Sequence, residues 1–286
     1  MPYYQLLAVD VDGTLVGADQ VVSEDVIEAA AEAADAGLAI CLATGRSYVE
    51  CIDVWRRLRL RPPFEPMVLV GGALVGEPDT GRTLYQRPIR LAAACEFAEA
   101  LNELGYVAMA LVDGWRYDVD YLLTERGDHH AASRDWFSKM DVRVRRVRHL
   151  AEAPEAVEAL RISTVAEPRD ARTLAAELQA RFGGRLNVQS IVAPNYGVTI
   201  VEAHAESATK LSAVKYVSQA RRIGPGRVAA IGDDVNDVAM VRGVGLGAAM
   251  PHAPRALLDA ARHVARDGLA PFIRRLTAGE FDPTGP

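Results

Sequence analysis

The sequence predicts an α/β fold, in which a doubly wound, Rossmann-like parallel sheet carries an inserted α+β domain. Three observations favour this fold. Near both ends of the chain, short apolar segments alternate with amphipathic helical ones. The short segments are almost continuously apolar, as expected for strands of a parallel sheet covered on both faces. In the middle of the chain this alternation is lost, and strands and helices follow one another in a different order.

The first part of the chain alternates between strand and helix. Ser23 is a suitable N-cap for the first helix, and Gly37 is a suitable residue to end it. The next helix stops before two consecutive prolines. The predicted elements are a strand at 4–9, a helix at 24–36, a strand at 38–43, a helix at 47–60 and a strand at 67–70.

A hairpin and then a separate α+β pattern follow. Segments 74–75 and 83–85 flank the turn-forming sequence Pro-Asp-Thr-Gly-Arg at 78–82. The further predicted elements are a helix at 90–104, strands at 106–111 and 115–119, a helix at 130–140, strands at 142–148 and 160–166, a helix at 168–182 and a strand at 186–191. We therefore expect residues 88–191 to form an inserted domain.

The opening alternation resumes near Tyr196. The predicted elements are a strand ending at Glu202, a helix at 209–220, a strand at 228–231, a helix at 236–241, a strand at 244–248, a helix from about 254, a strand at 263–265 and a helix at 270–277. The predicted core domain therefore consists of residues 1–87 and 192–286.

Composition narrows the function classes. The chain has 286 residues, half of them apolar, and a net charge of −6, which argues against a nucleic-acid partner. No apolar run is long enough to span a bilayer, and the N-terminus lacks a secretory pattern. The three cysteines have no Cys-x-x-Cys spacing, so reduced thiols are expected. The sequence predicts a cytoplasmic protein without a membrane partner.

Asp10 and Asp12 follow the first strand, in the sequence Asp-Val-Asp-Gly-Thr-Leu. Ionised carboxylates at the end of a buried strand need a cation or hydrogen bonds, and a divalent metal is one such partner. An aspartate can also act as a covalent nucleophile toward phosphorus. The alternative is that both aspartates only shape a turn or cap a helix.

Two further groups are expected at the same edge of the sheet, where open α/β sheets bind ligands. Thr44, Gly45 and Arg46 follow the second strand, where a hydroxyl and helix-start amides can hold an anion. Lys210 begins a predicted helix and is one of only three lysines, so it can serve as a compact positive charge. An ordinary N-cap for Thr44 and a solvated position for Lys210 are the alternatives.

An acidic group follows the strand at 228–231, in the sequence Gly-Asp-Asp-Val-Asn-Asp at 232–237. Mg²⁺ prefers oxygen ligands, commonly one or two carboxylates with water and phosphate. Asp10 and Asp233 can supply such carboxylates. The alternative is an acidic cluster that only caps a helix.

Together these groups resemble the motifs of the haloacid dehalogenase (HAD) superfamily, specifically its Cof-type phosphatases, which carry a large inserted α/β cap. The resemblance covers nearly the whole chain and is strongest at 6–15, 42–46, 67–88, 196–217 and 228–247. It implies that Asp10 attacks phosphorus and that Asp12 protonates the leaving oxygen, then activates water. It implies Mg²⁺ as cofactor, held by Asp10, Asp233 and the backbone carbonyl of Asp12.

The resemblance also assigns the other site residues. It implies that phosphate is bound by Val11, Thr44, Gly45, Lys210 and Asn236, with Arg46 and Asp237 in supporting positions. Two departures from the family pattern occur: Gly71 stands where an asparagine is common, and Leu211 follows the lysine where glycine is usual. Neither removes a predicted catalytic group.

The expected function is that of a Mg²⁺-dependent phosphatase, which hydrolyses small phosphorylated metabolites through an aspartyl-phosphate intermediate. The resemblance makes sugar phosphates the leading candidates for the substrate. A phosphomutase using the same intermediate and a non-catalytic module that binds a phosphorylated ligand are the alternatives. The expected state is a monomer or a small homo-oligomer.

Overall fold

The computed structural model describes residues 2–127, 129–193 and 197–283, without the side chain of Ala193. Contacts divide the chain into two compact units. The first unit contains the residues up to Tyr85 together with those from Thr209 onwards, and the second contains Gln86–Ala208. The second unit is therefore an insertion in the first.

The strands and helices of the described residues are as follows. The strands are β1 (Leu6–Val9), β2 (Ala39–Leu42), β3 (Met67–Leu69), β4 (Leu74–Gly76), β5 (Thr83–Gln86), β6 (Met109–Leu111), β7 (Tyr121–Thr124), β8 (Val144–Val147), β9 (Arg161–Ala166), β10 (Leu186–Ala193), β11 (Val198–Ala205), β12 (Val228–Gly232), β13 (Leu246–Ala249) and β14 (His263–Val264). The helices are α1 (Glu24–Asp35), α2 (Tyr48–Arg57), α3 (Leu91–Glu103), α4 (Ala131–Lys139), α5 (Pro168–Phe182), α6 (Lys210–Ala220), α7 (Val238–Arg242), α8 (Arg255–Leu258) and α9 (Leu269–Thr277).

The first unit is built on a parallel sheet with the strand order β14-β13-β12-β1-β2. Every residue of β1 is buried, so both faces of this strand are covered. In the register of the sheet, Val9 is level with Leu42 of β2 and Ile231 of β12. The residues that follow these three strands therefore emerge side by side at one edge.

The second unit has its own sheet, with the order β10-β11-β9-β6-β7-β8. Helices α3 and α5 contribute to its separate apolar core, where the rings of Phe97 and Phe182 pack edge to face with centroids 5.1 Å apart. The predicted α/β fold with an inserted α+β domain is confirmed.

The position of β11 differs from the prediction. The core domain was expected to resume at residue 192, but β11 pairs antiparallel with β10 and β9 in the sheet of the second unit. The units divide after Ala208 instead. Strands adjacent in sequence often pair, and this tendency outweighs the resemblance of β11 to a buried core strand. Tyr196, near which the alternation of strands and helices was expected to resume, lies outside the described residues.

The predicted strand at 115–119 was wrong. The Asp113 carboxylate accepts a hydrogen bond from the Trp115 N–H at 3.1 Å, and the Asp113 carbonyl accepts from the N–H groups of Arg116 and Tyr117. Such local bonds compete with strand pairing, so a turn forms and the strand begins at Tyr121.

The predicted helix at 236–241 begins later than expected. Residues 235–237 form a 3₁₀ turn and α7 follows from Val238. Asp234 caps this turn, because its carboxylate accepts a hydrogen bond from the Val235 N–H at 2.7 Å.

Candidate active site

A buried ion-pair cluster lies where β1, β12 and α6 meet in the first unit. The Lys210 ammonium donates to Asp10 Oδ1 at 2.6 Å and to Asp237 Oδ1 at 2.8 Å. It also lies 3.4 Å from the Asn236 side-chain oxygen. Asp10 is 5 % exposed and Lys210 is 2 % exposed. Four of the predicted site residues, from three separate segments of the chain, thus meet at the Lys210 ammonium.

Burial and charge act in opposite directions in this cluster. Burial by itself lowers the pKa of Lys210, but the adjacent Asp10 and Asp237 carboxylates outweigh it and raise that pKa. Burial raises the pKa of Asp10 well above its usual value, an effect that Lys210 opposes and Asp237 reinforces. Lys210 is therefore the cation that favours an ionised Asp10 in this position.

Asp237 organises the loop that follows β12. Its Oδ2 accepts hydrogen bonds from the N–H groups of Asp233 and Asp234, at 3.1 and 3.2 Å. A Cβ on Gly232 would lie 2.3 Å from the Asp237 carboxyl carbon, so only glycine fits at this position. Both oxygens of Asp237 are thereby engaged with Lys210 and with the backbone.

Asp233 lies beside Asp10 and is held by residues of the first loop. The Thr14 hydroxyl donates to Asp233 Oδ1 at 3.3 Å. Gly13 has a φ of +82°, and a Cβ there would lie 2.0 Å from Asp233 Oδ2. Burial raises the pKa of Asp233. A glycine that leaves room for a carboxylate explains why the first loop approaches the β12 loop so closely.

Three carboxylates of this cluster have the donor chemistry of a metal site. Asp10, Asp233 and Asp237 each offer an oxygen within 4.8 Å of the others. Lys210 pairs with two of these carboxylates, Asp10 and Asp237. With all three carboxylates ionised, the four side chains have two negative charges in excess, which one divalent cation would balance. The donor set therefore fits a hard cation such as Mg²⁺.

The Asp12 side chain lies outside this cluster and pairs with Arg46. Arg46 donates from Nε and from a terminal nitrogen to the two Asp12 oxygens, at 2.9 and 2.5 Å. The same guanidinium donates to the Gln20 side chain and to the Glu50 carbonyl. The Asp12 side chain is 55 % exposed, so it can be reached from solvent, unlike Asp10.

The predicted phosphate-binding residues of the first two loops are ordered by backbone hydrogen bonds. The Val11 carbonyl accepts from the N–H groups of Leu15 and Val16, both at 2.9 Å. The Thr44 hydroxyl accepts from the Arg46 N–H at 3.1 Å and keeps its own hydrogen for donation. Apart from its own two chain neighbours, no described residue has an atom within 4 Å of the Cβ position of Gly45. These loops leave space at the edge of the sheet.

Sequence reasoning missed two residues that shape the site. Gly72 has a φ of +98°, and a Cβ there would lie 2.1 Å from the Thr209 carbonyl oxygen, at the start of α6. This close approach was visible in sequence only as a Gly-Gly pair. His252, which follows β13, lies with Nε2 3.4 Å from Asp233 Oδ2. Only the position of its loop beside β12 would have identified His252 as a site residue.

Comparisons with known proteins agree with this architecture. A sequence profile of the haloacid dehalogenase-like hydrolases matches residues 7–269. The 5-amino-6-(5-phospho-D-ribitylamino)uracil phosphatase YcsE of Bacillus subtilis is 26 % identical over 277 residues, with 94 % of each chain covered. The pyridoxal phosphate phosphatase YbhA of Escherichia coli is 25 % identical, with 94 % of this chain and 97 % of the relative covered.

A solved structure has the same fold. A haloacid dehalogenase-like hydrolase from Bacteroides thetaiotaomicron superimposes with a TM-score of 0.76 and 19 % identity, covering 96 % of this chain and 99 % of that one. The profile match extends across nearly the whole chain. The two relatives are named as phosphatases, and this chain aligns with nearly their full lengths. The chain therefore belongs to the haloacid dehalogenase-like hydrolases, as a phosphatase of the Cof type.

Proposed function

We propose that this phosphatase hydrolyses phosphate monoesters of small metabolites with Mg²⁺, through a phosphorylated Asp10. One observation carries the proposal: Asp10 is buried, yet its Oδ1 lies 2.6 Å from the Lys210 ammonium and beside Asp233. A buried carboxylate with a fixed cation on one oxygen presents its other oxygen as a nucleophile.

The first chemical step forms one bond and breaks one. An Asp10 oxygen attacks phosphorus, and the bond between phosphorus and the ester oxygen breaks. Asp12 gives its proton to the leaving alkoxide, so that an alcohol departs. The exposure of the Asp12 side chain supports this role, because the acid must reach a group that leaves toward solvent.

The second step returns the enzyme to its starting state. Asp12 takes a proton from water while the water oxygen attacks phosphorus, and the acyl-phosphate bond to Asp10 breaks. Inorganic phosphate is released, and Asp12 is again protonated. The Arg46 pair supports the base role, since it orients the ionised Asp12 carboxylate through two parallel hydrogen bonds.

Charge neutralisation is the main task of the remaining residues. Lys210, Asn236, the Thr44 hydroxyl and backbone N–H groups at Val11 and Gly45 would bind the phosphoryl oxygens. Asp10, Asp233 and the Asp12 carbonyl would hold Mg²⁺, which supplies positive charge to a phosphoryl oxygen when bound. Asp237 keeps Lys210 and the β12 loop in place.

The substrate class is a small phosphorylated metabolite, and we propose sugar phosphates as the first group to test. The B. subtilis relative is named for a substrate with a phosphorylated ribityl chain, which is a sugar alcohol. The E. coli relative is named for pyridoxal phosphate.

We also propose a cytoplasmic location, which is supported by three cysteines without a disulfide, Cys41, Cys51 and Cys95. None of the helices described by the structure is long and apolar enough to cross a membrane.

A screen of phosphorylated metabolites with Mg²⁺, ranked by kcat/KM, tests the function. Phosphate release is expected for the wild type and is expected to fall on the order of 10³-fold or more in Asp10→Asn. Unchanged phosphate release in Asp10→Asn would contradict the proposed nucleophile. Product analysis separates hydrolysis from mutase chemistry, because a mutase yields an isomeric phosphate ester with little free phosphate.

A further inference from the structure

The loop that carries His252 is fixed against the end of β12. β13 runs parallel to β12, with Ala249 level with Gly232. The Met250 N–H donates to the Gly232 carbonyl at 2.9 Å, and the Ala253 N–H donates to the Met250 carbonyl at 3.1 Å. The backbone on either side of His252 is therefore tied down, and its side chain starts from a defined place beside the β12 loop.

The imidazole of His252 approaches one particular oxygen of Asp233. Its Nε2 lies 3.4 Å from Asp233 Oδ2, whereas the Thr14 hydroxyl donates to Oδ1 at 3.3 Å. The two oxygens of Asp233 thus have different partners. Rotation of the carboxylate would lose at least one of these two contacts, so they favour the orientation that is observed.

His252 does not belong to the group of side chains that could surround a cation. That group, among the described residues, consists of Asp10, Asp233 and Asp237. The His252 side chain is 56 % exposed, whereas that of Asp233 is 16 % exposed. The imidazole therefore contacts Asp233 from a more exposed position and is not among the candidate ligands.

We propose that His252 is a positioning residue for Asp233: its ring N–H donates to Oδ2, orients the carboxylate toward the cation and thereby sets the affinity of the site for Mg²⁺. The inference rests on the proposed function, because it requires a Mg²⁺ site at Asp10 and Asp233. Hydrogen-bond partners of metal ligands commonly change metal affinity by 10- to 100-fold. For a half-exposed histidine at 3.4 Å we expect the lower end, about 10-fold.

Direct Mg²⁺ binding tests this role without substrate. The full-length protein is titrated with MgCl₂ by isothermal titration calorimetry, as wild type, His252→Ala and His252→Gln. The Ala variant is expected to bind Mg²⁺ about 10-fold more weakly, and the Gln variant is expected to recover most of the loss because its amide keeps an N–H donor. With substrate present, the Mg²⁺ concentration for half-maximal rate should rise in His252→Ala by a similar factor.

His149→Ala is the matched control. Its ring also pairs with a carboxylate, Glu99, at 2.7 Å, but it belongs to the second unit and not to the acidic cluster. Its Mg²⁺ affinity should equal that of the wild type. Wild-type affinity in His252→Ala, or equal loss in the Ala and Gln variants, would overturn the donor role. Failure of the proposed function has a different signature, since the wild type itself would then bind no Mg²⁺.

Discussion

Lys210 Nζ and Asp10 Oδ1 lie 2.6 Å apart, and both side chains are almost wholly buried. Removing one partner of such a pair leaves an uncompensated buried charge, which typically destabilises a protein by about 3–5 kcal/mol. Lys210 has a second carboxylate partner in Asp237, so the loss of Lys210 leaves two buried carboxylates without their counter-ion. The residue is thus a structural requirement of the site as well as a proposed phosphate ligand.

Lys210→Met is therefore expected to lower both stability and activity. We expect urea denaturation to show a loss of about 3–5 kcal/mol in the first unit, and phosphate release to fall on the order of 10²-fold or more. Lys215→Met is the control, since Lys215 is exposed in the same helix. A stable, fully active Lys210→Met protein would refute the role of this charge.

Gly232→Ala tests the packing of Asp237. The added methyl would lie 2.3 Å from the Asp237 carboxyl carbon, so the carboxylate must move away from Lys210 and the loop amides. We expect a loss of about 1–3 kcal/mol in stability, with a larger relative loss in kcat. Gly224→Ala is the matched control and should behave as wild type, because the methyl would meet no described residue within 4 Å other than its chain neighbours.

Mg²⁺ should stabilise the folded protein through Asp233. A ligand that binds only the native state adds about 2.7 kcal/mol at 100 times its Kd. We expect the Tm of the wild type to rise with MgCl₂ and to return on addition of a chelator. Asp233→Asn should lose this response, whereas Asp234→Asn should keep it, because the Asp234 carboxylate caps the 3₁₀ turn that follows it, accepting from the N–H groups of Val235 and Asp237. A Tm response that survives in Asp233→Asn would place the cation elsewhere.

The second unit should show acid sensitivity that depends on Glu202. Burial by itself raises the pKa of this carboxyl, but His204, Arg161 and Gln189 together lower it to about 2 from the ordinary 4.5. His204 Nε2 lies 2.9 Å from one Glu202 oxygen, to which the Gln189 amide also donates at 2.8 Å. Because the folded-state pKa is depressed, the stabilisation is complete above about pH 4.5 and is lost as the pH falls to about 2.

Glu202→Gln should remove this dependence. The stability advantage of the wild type over the variant is expected to shrink by up to about 3 kcal/mol between pH 4.5 and 2, measured by urea unfolding at each pH. Glu206→Gln, at an exposed position next to the same strand, should retain the wild-type profile. A constant difference between wild type and Glu202→Gln over this range would contradict the assigned pKa.

The sequence was sufficient to predict that residues following parallel strands lie together at one edge of the sheet. Asp10, Thr44 and Asp233 were expected at one edge because the ends of parallel strands coincide, and the register of Val9 with Leu42 and Ile231 confirms this alignment. Their roles in catalysis and metal binding stay predictions. The contact of Asp12 with Arg46 was not predictable, since it depends on side-chain directions in two loops.

Other features could not be read from local patterns. β11 looks like a buried core strand, and only its hydrogen-bond partners assign it to the second unit. His252 is a single histidine in a loop, and its proximity to Asp233 follows from the pairing of β13 with β12. In both cases the decisive information is which strand lies beside which, and a periodic apolar pattern does not contain it.

The strand order β13-β12-β1-β2 also has a consequence for the synthesis of the chain. β1 and β2 leave the ribosome early, but β12, the other neighbour of β1, leaves only after the whole second unit has emerged. Until then, one edge of β1 exposes unpaired N–H and C=O groups that can pair with other chains. The second unit holds all strands of its own sheet and can fold first. The pairing edge of β1 in the nascent first unit therefore stays open until β12 arrives.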